Sequence, residues 1–394
     1  MKRGCEIAIV ADDLTGALDA AAPFAERGMA TRVAITLEGL DAALAAGDAI
    51  PRVVAVNTDT RHVARDAAAR RAAEATERLL MVRPHLLLKK VDSTLRGQVV
   101  AESVAVQRID GRRLLVCPAV PSQGRFVLGG EVWVEGEPLS ASAYARDALS
   151  PSLSGSLERA FAEEGVPLVR HVPESSLPLP STDCVVDAAD EATLSSIAKR
   201  LLEAPREWLP VCAAGLTHAL AQGLAPGPSL AGTVSPPTLS EPIRALLAVG
   251  SRSPRARRQL ERLGETFSNI AWLSVFDVGR VDAEPGVRVL VPGVSSEATM
   301  RAEAVADIMA EAVVAAGGGE RGGLLFLSGG DIALAVLARL RGEFIELSGE
   351  WCPGVPLGYL NGDVERPVMT KAGGFGQEDL LVRLVERIRH SSRG

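Results

Sequence analysis

Four polar segments in the first half of the chain carry residue types that could bind and activate a small hydroxylated acid. They are ADDLTG (11–16), NTDTR (57–61), KKVDSTLRG (89–97) and CPAVPSQGR (117–125). Arg and Lys suit a carboxylate, Arg through its planar fork, whereas Asp carboxylates accept hydrogen bonds from hydroxyls. A carboxylate can also receive the proton of a reacting hydroxyl. These segments therefore predict a pocket for an acid that carries hydroxyl groups.

Each of the four segments follows an apolar run that has the pattern of a buried strand. Strands are predicted at 6–11, 31–36, 53–57, 86–91, 114–117, 184–186 and 209–213, alternating with helices at 14–27, 64–82 and 192–202. This alternation is typical of βαβ units and a mostly parallel sheet. A hairpin or flap is predicted at 129–139.

Because ligands of open α/β sheets bind beyond the carboxyl ends of the strands, the four segments are expected to line one pocket. Its candidate residues are Asp12, Asp13, Asp59, Arg61, Lys90, Asp92, Ser93, Arg96 and Arg125. A purely structural alternative is that Asp12 and Ser93 cap helices and that Arg96 pairs with Asp92 on the surface.

The second half of the chain has glycine-rich strand ends instead of charged ones. VGSRS (249–253), LSGGD (327–331) and TKAGGFG (370–376) each precede a helical pattern. Glycines let consecutive backbone N–H groups point at phosphate oxygens, and a helix start adds its positive dipole end. Three such loops, with Lys371 in the third, predict a site for the phosphates of a nucleotide. The alternative for any single loop is a tight turn that needs glycine for its own geometry.

Two standard nucleotide motifs do not apply to this sequence. No G-x-x-x-x-G-K-[ST] occurs, so this is not a standard P-loop protein. G-x-G-x-x-G matches formally at Gly317, Gly319 and Gly322, but it ends a helix and precedes a strand, which reverses the order that a dinucleotide site requires.

Composition and linker chemistry indicate two domains in a chain of 394 residues. The stretch APGPSLAGTVSPPTLSEP is rich in Pro, Gly and Ser, as expected of a linker. We predict an N-terminal ligand domain at 1–225, a linker at 226–242 and a C-terminal domain at 243–394. The C-terminal domain has predicted strands at 245–249, 270–275, 287–291, 324–327 and 368–370, and helices at 254–267, 296–316, 332–341 and 378–389. Each domain is predicted to be α/β, a mostly parallel sheet flanked by helices, with the active site in the cleft between the domains.

Charge and cysteine content exclude several classes of protein. The net charge of −7 comes without a basic block, which argues against a nucleic-acid partner. The five cysteines are far apart and lack a C-x-x-C pair, which argues against zinc and against a disulfide framework. Neither a signal-peptide core nor a run of about 18 apolar residues occurs, so no membrane association is expected and a cytoplasmic location is predicted. The sequence does not decide whether the chain forms a homo-oligomer.

The motifs ADDLTGALDA, KKVDSTLRG, CPAVPSQGR, GSRS, SGGD, GVPLG and TKAGGFG follow one another over nearly the whole chain. In this order they resemble the four-carbon acid sugar kinase family. The resemblance implies an ATP-dependent kinase that phosphorylates a hydroxyl of 3-oxo-tetronate, threonate or erythronate, with an N-terminal sugar-acid domain, a C-terminal nucleotide domain and Mg²⁺ bound with ATP.

The resemblance also implies individual residue roles. Substrate contacts are expected from Asp12, Asp13, Arg61, Lys90, Asp92, Ser93 and Arg96, and nucleotide contacts from Ser251, Ser253, Gly329, Gly330, Asp331, Ile332, Gly373 and Gly374. Asp12 or Asp13 is expected to be the base or hydroxyl-orienting group, Lys90 and Arg96 are expected to hold the substrate carboxylate, and Asp331 is a candidate outer ligand of the metal.

Two departures from the family pattern bear on the choice of substrate. Residues 141–156 replace a segment that usually contains histidine and proline, and Ala372 stands where serine is common. The alternatives to a kinase are a phosphatase with an aspartyl nucleophile at Asp13, which lacks the expected D-x-D arrangement, and a non-catalytic sugar-acid sensor, which lacks a recognisable DNA-binding segment. A nicotinamide dehydrogenase lacks a properly placed glycine fingerprint.

Overall fold

The computed structural model describes residues 4–47, 49–146, 152–153, 155–173, 178–224, 244–276, 286–293 and 301–391. Its contacts divide the chain into two compact units, Met1–Ser229 and Leu230–Gly394. The predicted linker at 226–242 lies outside the described residues, as do residues 296–300 of the predicted helix at 296–316 and part of the divergent segment 141–156. The domain limits therefore stay a prediction.

The first unit contains a parallel sheet of eight strands in the order β2-β3-β1-β4-β11-β5-β10-β9. Its strands, with those of the flap, are β1 Ile7–Ala11, β2 Thr31–Ala34, β3 Val53–Asn57, β4 Leu86–Lys90, β5 Arg113–Cys117, β6 Arg125–Leu128, β7 Glu131–Val134, β8 Glu137–Pro138, β9 Val169–His171, β10 Cys184–Val186 and β11 Trp208–Cys212. Its helices are α1 Leu14–Glu26, α2 Leu40–Ala45, α3 Arg65–Leu80, α4 Val99–Asp110, α5 Leu157–Glu163, α6 Glu191–Glu203 and α7 Ala214–Gly223.

The central strands of this sheet are buried along their whole length, which explains their continuous apolar sequences. β3, β1 and β4 lie side by side and end in register, because Ala11 pairs with both Asn57 and Lys90. The segments that follow these three strands are therefore neighbours, as the sequence predicts. The sequence did not predict α2, α4, α5, α7 or the short edge strand β9.

The predicted flap at 129–139 belongs to an antiparallel sheet of β6, β7 and β8, which begins earlier than predicted, at Arg125. Gly129 and Gly130 join β6 to β7, and both have positive φ (65° and 72°), as a two-residue hairpin turn of the primed type requires. Their amide groups donate to the carboxylate of Asp187, which ties the turn to the end of the main sheet.

The second unit contains a seven-stranded sheet in the order β13-β14-β12-β15-β18-β17-β16. Its strands are β12 Arg244–Val249, β13 Ala271–Ser274, β14 Gly286–Val291, β15 Leu324–Ser328, β16 Phe344–Cys352, β17 Val355–Leu360 and β18 Pro367–Lys371. Its helices are α8 Pro254–Thr266, α9 Ala302–Ala315, α10 Gly330–Arg339 and α11 Leu380–Ser391. α8 and α11 join strand residues in one apolar core that includes Leu247, Phe326 and Met369.

The strands β16 and β17 are an antiparallel pair that the sequence did not predict. GVPLG, at 354–358, appeared only as a motif of the family resemblance, but most of it forms β17. Register shifts along β16 and the glycines of both strands break the alternation that marks a strand. Gly358 is required by packing, since a Cβ there would lie 2.5 Å from Ile345 Cγ2.

Among the described residues, no helix has both the length and the apolar content needed to cross a bilayer. The cytoplasmic location stays a prediction.

Candidate active site

Arg61 is the centre of an ionic cluster at the carboxyl ends of β1, β3 and β4. Its Nε lies 2.8 Å from Asp12 Oδ2, and its two Nη atoms each lie 2.8 Å from an oxygen of Asp13. A third carboxylate, Asp92 Oδ1, lies 3.9 Å from Nη2. Burial lowers the pKa of the Arg61 guanidinium, but the charges of Asp12, Asp13 and Asp92 outweigh that effect and raise it well above its usual value.

Asp13 uses both carboxylate oxygens in local structure. Besides the fork of Arg61, it accepts from the Thr15 hydroxyl at 2.6 Å and from the amide of Gly16 at 2.9 Å, which caps the start of α1. Gly16 leaves no room for a side chain, since a Cβ would lie 2.4 Å from Asp13 Oδ1 and 3.2 Å from Lys90 Nζ. Burial raises the pKa of the Asp13 carboxyl, but Arg61, Lys90 and Thr15 bring it below its usual value. Asp13 is thus fully engaged in holding Arg61 and the helix start.

Asp12 differs from Asp13 because one of its oxygens is unused. Its Oδ2 accepts from Arg61, whereas Oδ1 is buried and has no hydrogen-bond partner within the described part of the chain. The backbone carbonyl of Asp12 accepts from the amide groups of Thr60 and Arg61, so the residue is held firmly beside the loop after β3. A buried carboxylate oxygen without a partner is costly unless a ligand supplies the donor.

Asp92 and Arg96 form the second half of the cluster. Arg96 Nε and Nη2 each lie 2.9 Å from one oxygen of Asp92, a bidentate pair, and Thr94 donates its hydroxyl to the same carboxylate. Burial raises the pKa of the Asp92 carboxyl, but Arg61 and Arg96 hold it well below its usual value. Gly97, at φ 83°, lets the loop turn close to Arg61 and Asp12, since its Cβ would lie 3.4 Å from Asp12 Oδ2. In the described residues, Arg96 Nη1 and the Ser93 hydroxyl have no hydrogen-bond partner.

Lys90 and Lys89 end β4 on opposite sides of the sheet. Lys90 Nζ donates to the carbonyl of Val91 at 2.9 Å and lies beside Asp13 at the start of α1. Lys89 is fully buried and forms an ion pair with Glu102 of α4 at 2.9 Å, with 0% and 1% of the two side chains exposed. Burial raises the pKa of the Glu102 carboxyl, and Lys89 only partly offsets this. The pair fixes α4 beneath the ionic cluster.

Replacing Lys89 by Met is expected to destabilise the protein by about 3–5 kcal/mol, because it leaves Glu102 buried without its countercharge. The double variant Lys89→Met/Glu102→Leu is expected to recover most of that loss. Chemical denaturation of the three proteins tests this. A Lys89→Met protein within about 1 kcal/mol of the unsubstituted chain would show that the pair is unimportant for stability.

Asp19 of α1 is a polar neighbour of the cluster that the sequence analysis missed. Burial raises the pKa of its carboxyl, while Lys90 and His218 of α7 act in the opposite direction. The sequence does contain a sign that Asp19 has a special role, because it is the one charged residue between Leu14 and Ala25 in an otherwise mostly apolar helix sequence. Two other predicted pocket residues have different surroundings: Asp59 is exposed, and Arg125 contacts Gln123 of its own turn.

The glycine-rich loops of the second unit converge at Ser251. A Cβ on Gly373 would lie 1.9 Å from Ser251 Oγ, and one on Gly329 would lie 3.7 Å from Ser251 Cβ. Ser253 accepts from the amide of Ala256 as the cap of α8 and donates to the carbonyl of Gly373 at 2.7 Å. The first and third loops are thereby joined, and the amide of Gly329 donates to the carbonyl of Lys371.

The start of α10 supplies the donors of this region. Gly329, at φ 115°, precedes the helix, and the amides of Gly330, Asp331 and Ile332 lie in its first turn, where helical partners are lacking. The Ile332 side chain is buried against Gly250, where a Cβ would lie 2.7 Å from Ile332 Cδ1. A Cβ added at Gly374 would have no atom of a neighbouring residue within 4 Å. This is a cradle of small residues and backbone N–H groups, which suits phosphate oxygens.

Lys371 holds the third loop together from inside. Its Nζ donates to the carbonyls of Ala372, Gly373 and Phe375 at 3.1, 3.0 and 3.3 Å. Burial and, to a smaller extent, the charge of Arg255 lower the pKa of its amino group to about 8. Lys371 therefore shapes the loop from inside; the sequence indicated only that a lysine beside these glycines favours a phosphate site.

Raising the pH through about 8 is expected to raise the KM for ATP about two- to tenfold, because neutral Lys371 has one donor fewer for three carbonyls.

The effect of Lys371 on the stability of the fold has the opposite sign. The unfolded chain holds the proton up to about pH 10.5, so deprotonation in the fold relieves a buried charge and stability rises from about pH 8 upward. Steady-state kinetics and melting curves between pH 7 and 9.5 separate the two effects. In Lys371→Met, the KM for ATP is expected to be raised at every pH, without the rise near pH 8. If the KM of the unsubstituted protein did not depend on pH, Lys371 would not hold the ATP loop in the proposed way.

Metal ligands are sparse in the described residues, where no three His, Cys, Asp or Glu side chains converge on a possible metal position. Mg²⁺ with ATP needs only one or two carboxylates in addition to the phosphates, so this arrangement is compatible with a metal carried by the nucleotide. Asp331 is exposed in the first turn of α10, where it could be an outer ligand.

Two family models match the chain. A sugar-binding N-terminal domain matches residues 7–220, and a nucleotide-binding C-terminal domain matches residues 290–381. A D-threonate kinase from Bordetella bronchiseptica is 33% identical over 98% of each chain. The chain belongs to the four-carbon acid sugar kinase family. The family predicted from the motifs is thereby confirmed, and so is the assignment of the protein as a kinase enzyme.

Other members are also similar over most of the chain. A D-erythronate kinase from Heliobacterium modesticaldum is 28% identical, covering 96% of each chain. A crystal structure of a Bordetella bronchiseptica domain of unknown function, a domain-swapped dimer with bound citrate, is 30% identical with a TM-score of 0.53 and covers 98% of this chain and 99% of that one. The predicted α/β fold class is confirmed, and the nucleotide-binding domain of a kinase implies the use of ATP.

The structure brings together most of the predicted site residues within each unit. Asp12, Asp13, Arg61, Asp92 and Arg96 are joined by direct contacts. Lys90 and Ser93 lie in the same region, and Ser251, Ser253, Gly329 and Gly373 meet in the second unit. Their catalytic and binding roles are proposals.

Proposed function

We propose that this kinase transfers the γ-phosphate of ATP to a hydroxyl of D-threonate. The D-threonate kinase with which it shares 33% identity is more similar to it than the D-erythronate kinase at 28%, and both alignments span nearly the whole chain. An ionic cluster that mixes carboxylates with guanidinium groups suits a substrate that has both hydroxyls and a carboxylate.

The observation that carries the proposal is the unused buried oxygen of Asp12. A substrate hydroxyl that donates to Oδ1 would satisfy this oxygen and be oriented by it. As phosphoryl transfer proceeds, Asp12 would receive the hydroxyl proton. Arg61 would hold Asp12 in place through Oδ2, and Asp13 would anchor Arg61.

Arg96 is proposed to contact the substrate carboxylate through Nη1, the guanidinium nitrogen that Asp92 does not use. Ser93 of the same loop would donate to, or accept from, a substrate hydroxyl. Lys90 Nζ donates to the carbonyl of Val91 in this structure. We therefore propose that Lys90 attracts the substrate carboxylate mainly through its positive charge and not through a direct hydrogen bond.

The nucleotide would be held by the loops that meet at Ser251. The first-turn amides of α10 and the backbone beside Gly373 would donate to phosphate oxygens, and Mg²⁺ bound with ATP would neutralise charge on them. Because acid and nucleotide residues belong to different units, transfer requires that the acid hydroxyl and the γ-phosphate be brought together.

The phosphatase alternative is disfavoured by Asp13 itself. A nucleophilic carboxylate needs an accessible oxygen, but both oxygens of Asp13 are taken by Arg61, Thr15 and Gly16. A non-catalytic sensor would not consume ATP, whereas a kinase would. A measurement of ATP turnover therefore distinguishes the two.

An ADP-release assay with ATP and Mg²⁺ tests the proposal on D-threonate, L-threonate, D-erythronate and 3-oxo-tetronate. D-Threonate is expected to give the highest kcat/KM, by about tenfold or more over its stereoisomers, because a misplaced hydroxyl leaves buried polar groups unpaired. A higher kcat/KM for another acid would overturn the choice of substrate. No ADP release from any acid, by protein that melts cooperatively, would overturn the kinase assignment.

A further inference from the structure

A cavity of about 180 Å³ lies in the second unit at the end of the sheet opposite to the glycine-rich loops. It is lined at the starts of β12 and β15, by part of β14 and by the turn after α9. The glycine-rich loops follow the carboxyl ends of β12, β15 and β18. Since β15 has five residues at about 3.3 Å each, the cavity and the nucleotide loops are separated by roughly 15 Å.

Arg288 is the unusual residue of this cavity. It lies within β14, a strand paired on both sides, and pairs in register with Leu246 and Ala271. Only 7% of it is exposed. Its Nε is buried without a hydrogen-bond partner in the described residues, where its guanidinium has no ion pair either. A buried arginine is nearly always paired, because an isolated buried charge is costly.

A second arginine faces the same cavity. Arg244, the first residue of β12, lines it, and β12 and β14 are adjacent parallel strands in which Arg244 pairs with Gly286. Burial lowers the pKa of the Arg288 guanidinium; the charge of Glu320 partly offsets this, and the charge of Arg244 has a smaller lowering effect. Glu320 is exposed but also lines the cavity, and its Oε1 would lie 3.2 Å from a Cβ added at Gly317. The lining therefore has two arginines and one carboxylate, which leaves it with a net positive charge.

The turn after α9 also lines the cavity. Residues 317–319 are three consecutive glycines that line the cavity, and the amide of Gly319 has no hydrogen-bond acceptor in the described part of the chain. Gly318 has no room for a side chain, since a Cβ would lie 2.5 Å from Val313 Cγ1 and 2.9 Å from Leu246 Cδ2. These glycines belong to the G-x-G-x-x-G match at Gly317, Gly319 and Gly322, whose order in the chain is the reverse of that in a dinucleotide site.

We propose that this cavity is a second anion site, which binds a phosphate group through Arg288, Arg244 and the Gly319 amide. Two guanidinium groups match a doubly charged oxyanion better than a single carboxylate, and their forks suit phosphate oxygens. The volume admits a phosphate ion or a small phosphate ester and is too small for a nucleotide. The ligand would supply the hydrogen-bond acceptor that Arg288 Nε lacks among the described residues.

Calorimetric titration of the full-length kinase with inorganic phosphate tests the proposal, with the nucleotide site filled by a non-hydrolysable ATP analogue. Saturable binding is expected, with sulfate competing and acetate failing to compete. A parallel titration with glycerol 3-phosphate identifies the source, because tighter binding of the ester indicates a phosphorylated metabolite and tighter binding of the ion indicates free phosphate.

Arg288→Met is expected to weaken phosphate binding at least about tenfold, since charge-assisted hydrogen bonds are lost. Its kcat in phosphate-free buffer is expected to be unchanged. Arg244→Met, a substitution at an exposed position, provides a second variant that should also bind more weakly, and Arg262→Met, exposed on α8, is the matched control. The proposal is wrong if the unsubstituted kinase shows no saturable binding, or if Arg288→Met or Arg244→Met binds phosphate as tightly as the control.

Discussion

Replacing Asp12 by Asn is expected to lower kcat for D-threonate about 10²- to 10⁴-fold, with a much smaller change in the KM for ATP. Asn has the same shape and can still accept from Arg61, but its amide cannot receive the proton of the substrate hydroxyl. The measurement is steady-state kinetics with both substrates varied. Melting curves verify that the variant is folded.

Two further variants show whether this effect belongs to Asp12 alone. Asp13→Asn keeps a good helix cap but removes half of the ion pair with Arg61, so it is expected to reduce stability and raise the KM for the acid more than it lowers kcat. Asp66→Asn, at an exposed position in the first turn of α3, should behave as the unsubstituted protein. An Asp12→Asn protein within tenfold of normal kcat would remove Asp12 from the chemical step.

Replacing Gly373 by Ala is expected to raise the KM for ATP about 10- to 100-fold. The added Cβ would lie 1.9 Å from Ser251 Oγ and 2.8 Å from Ser251 Cβ, so the first and third loops must separate. That movement also strains the hydrogen bond from Ser253 to the carbonyl of Gly373. The KM for D-threonate should change little, because the acid residues lie in the other unit.

Gly374→Ala is the matched control for this variant. It adds the same methyl group one residue later, where nothing lies within 4 Å, and φ is not in the left-handed region at either glycine. Gly374→Ala should therefore retain normal kinetics. Equal effects of the two substitutions would mean that general stiffening of the loop, and not its contact with Ser251, determines ATP binding.

The position of the site at the strand ends could be predicted from sequence because strand pattern and parallel topology fix it. Asp12, Arg61 and Asp92 each follow a buried apolar run, and β3, β1 and β4 are neighbours. The same pattern could not separate Asp12 from Asp13. That distinction depends on which oxygens Arg61, Thr15 and the helix start occupy, and those contacts form only in the folded chain.

Other features depend on contacts between residues distant in sequence. Lys89 inside a buried strand signals that a countercharge exists, but the identity of Glu102 follows only from the packing of α4. Lys371 beside glycines indicated phosphate, whereas its three bonds to loop carbonyls give it a structural role. The pair β16 and β17 was missed because glycines and register shifts interrupt its alternation.

Phosphorus-31 NMR of the protein with ATP, Mg²⁺ and D-threonate tests the central claim most directly. The account predicts a new phosphomonoester resonance that grows at the rate at which ADP appears and is absent without the acid. Release of inorganic phosphate in place of the ester, or no consumption of ATP by folded protein, would contradict it.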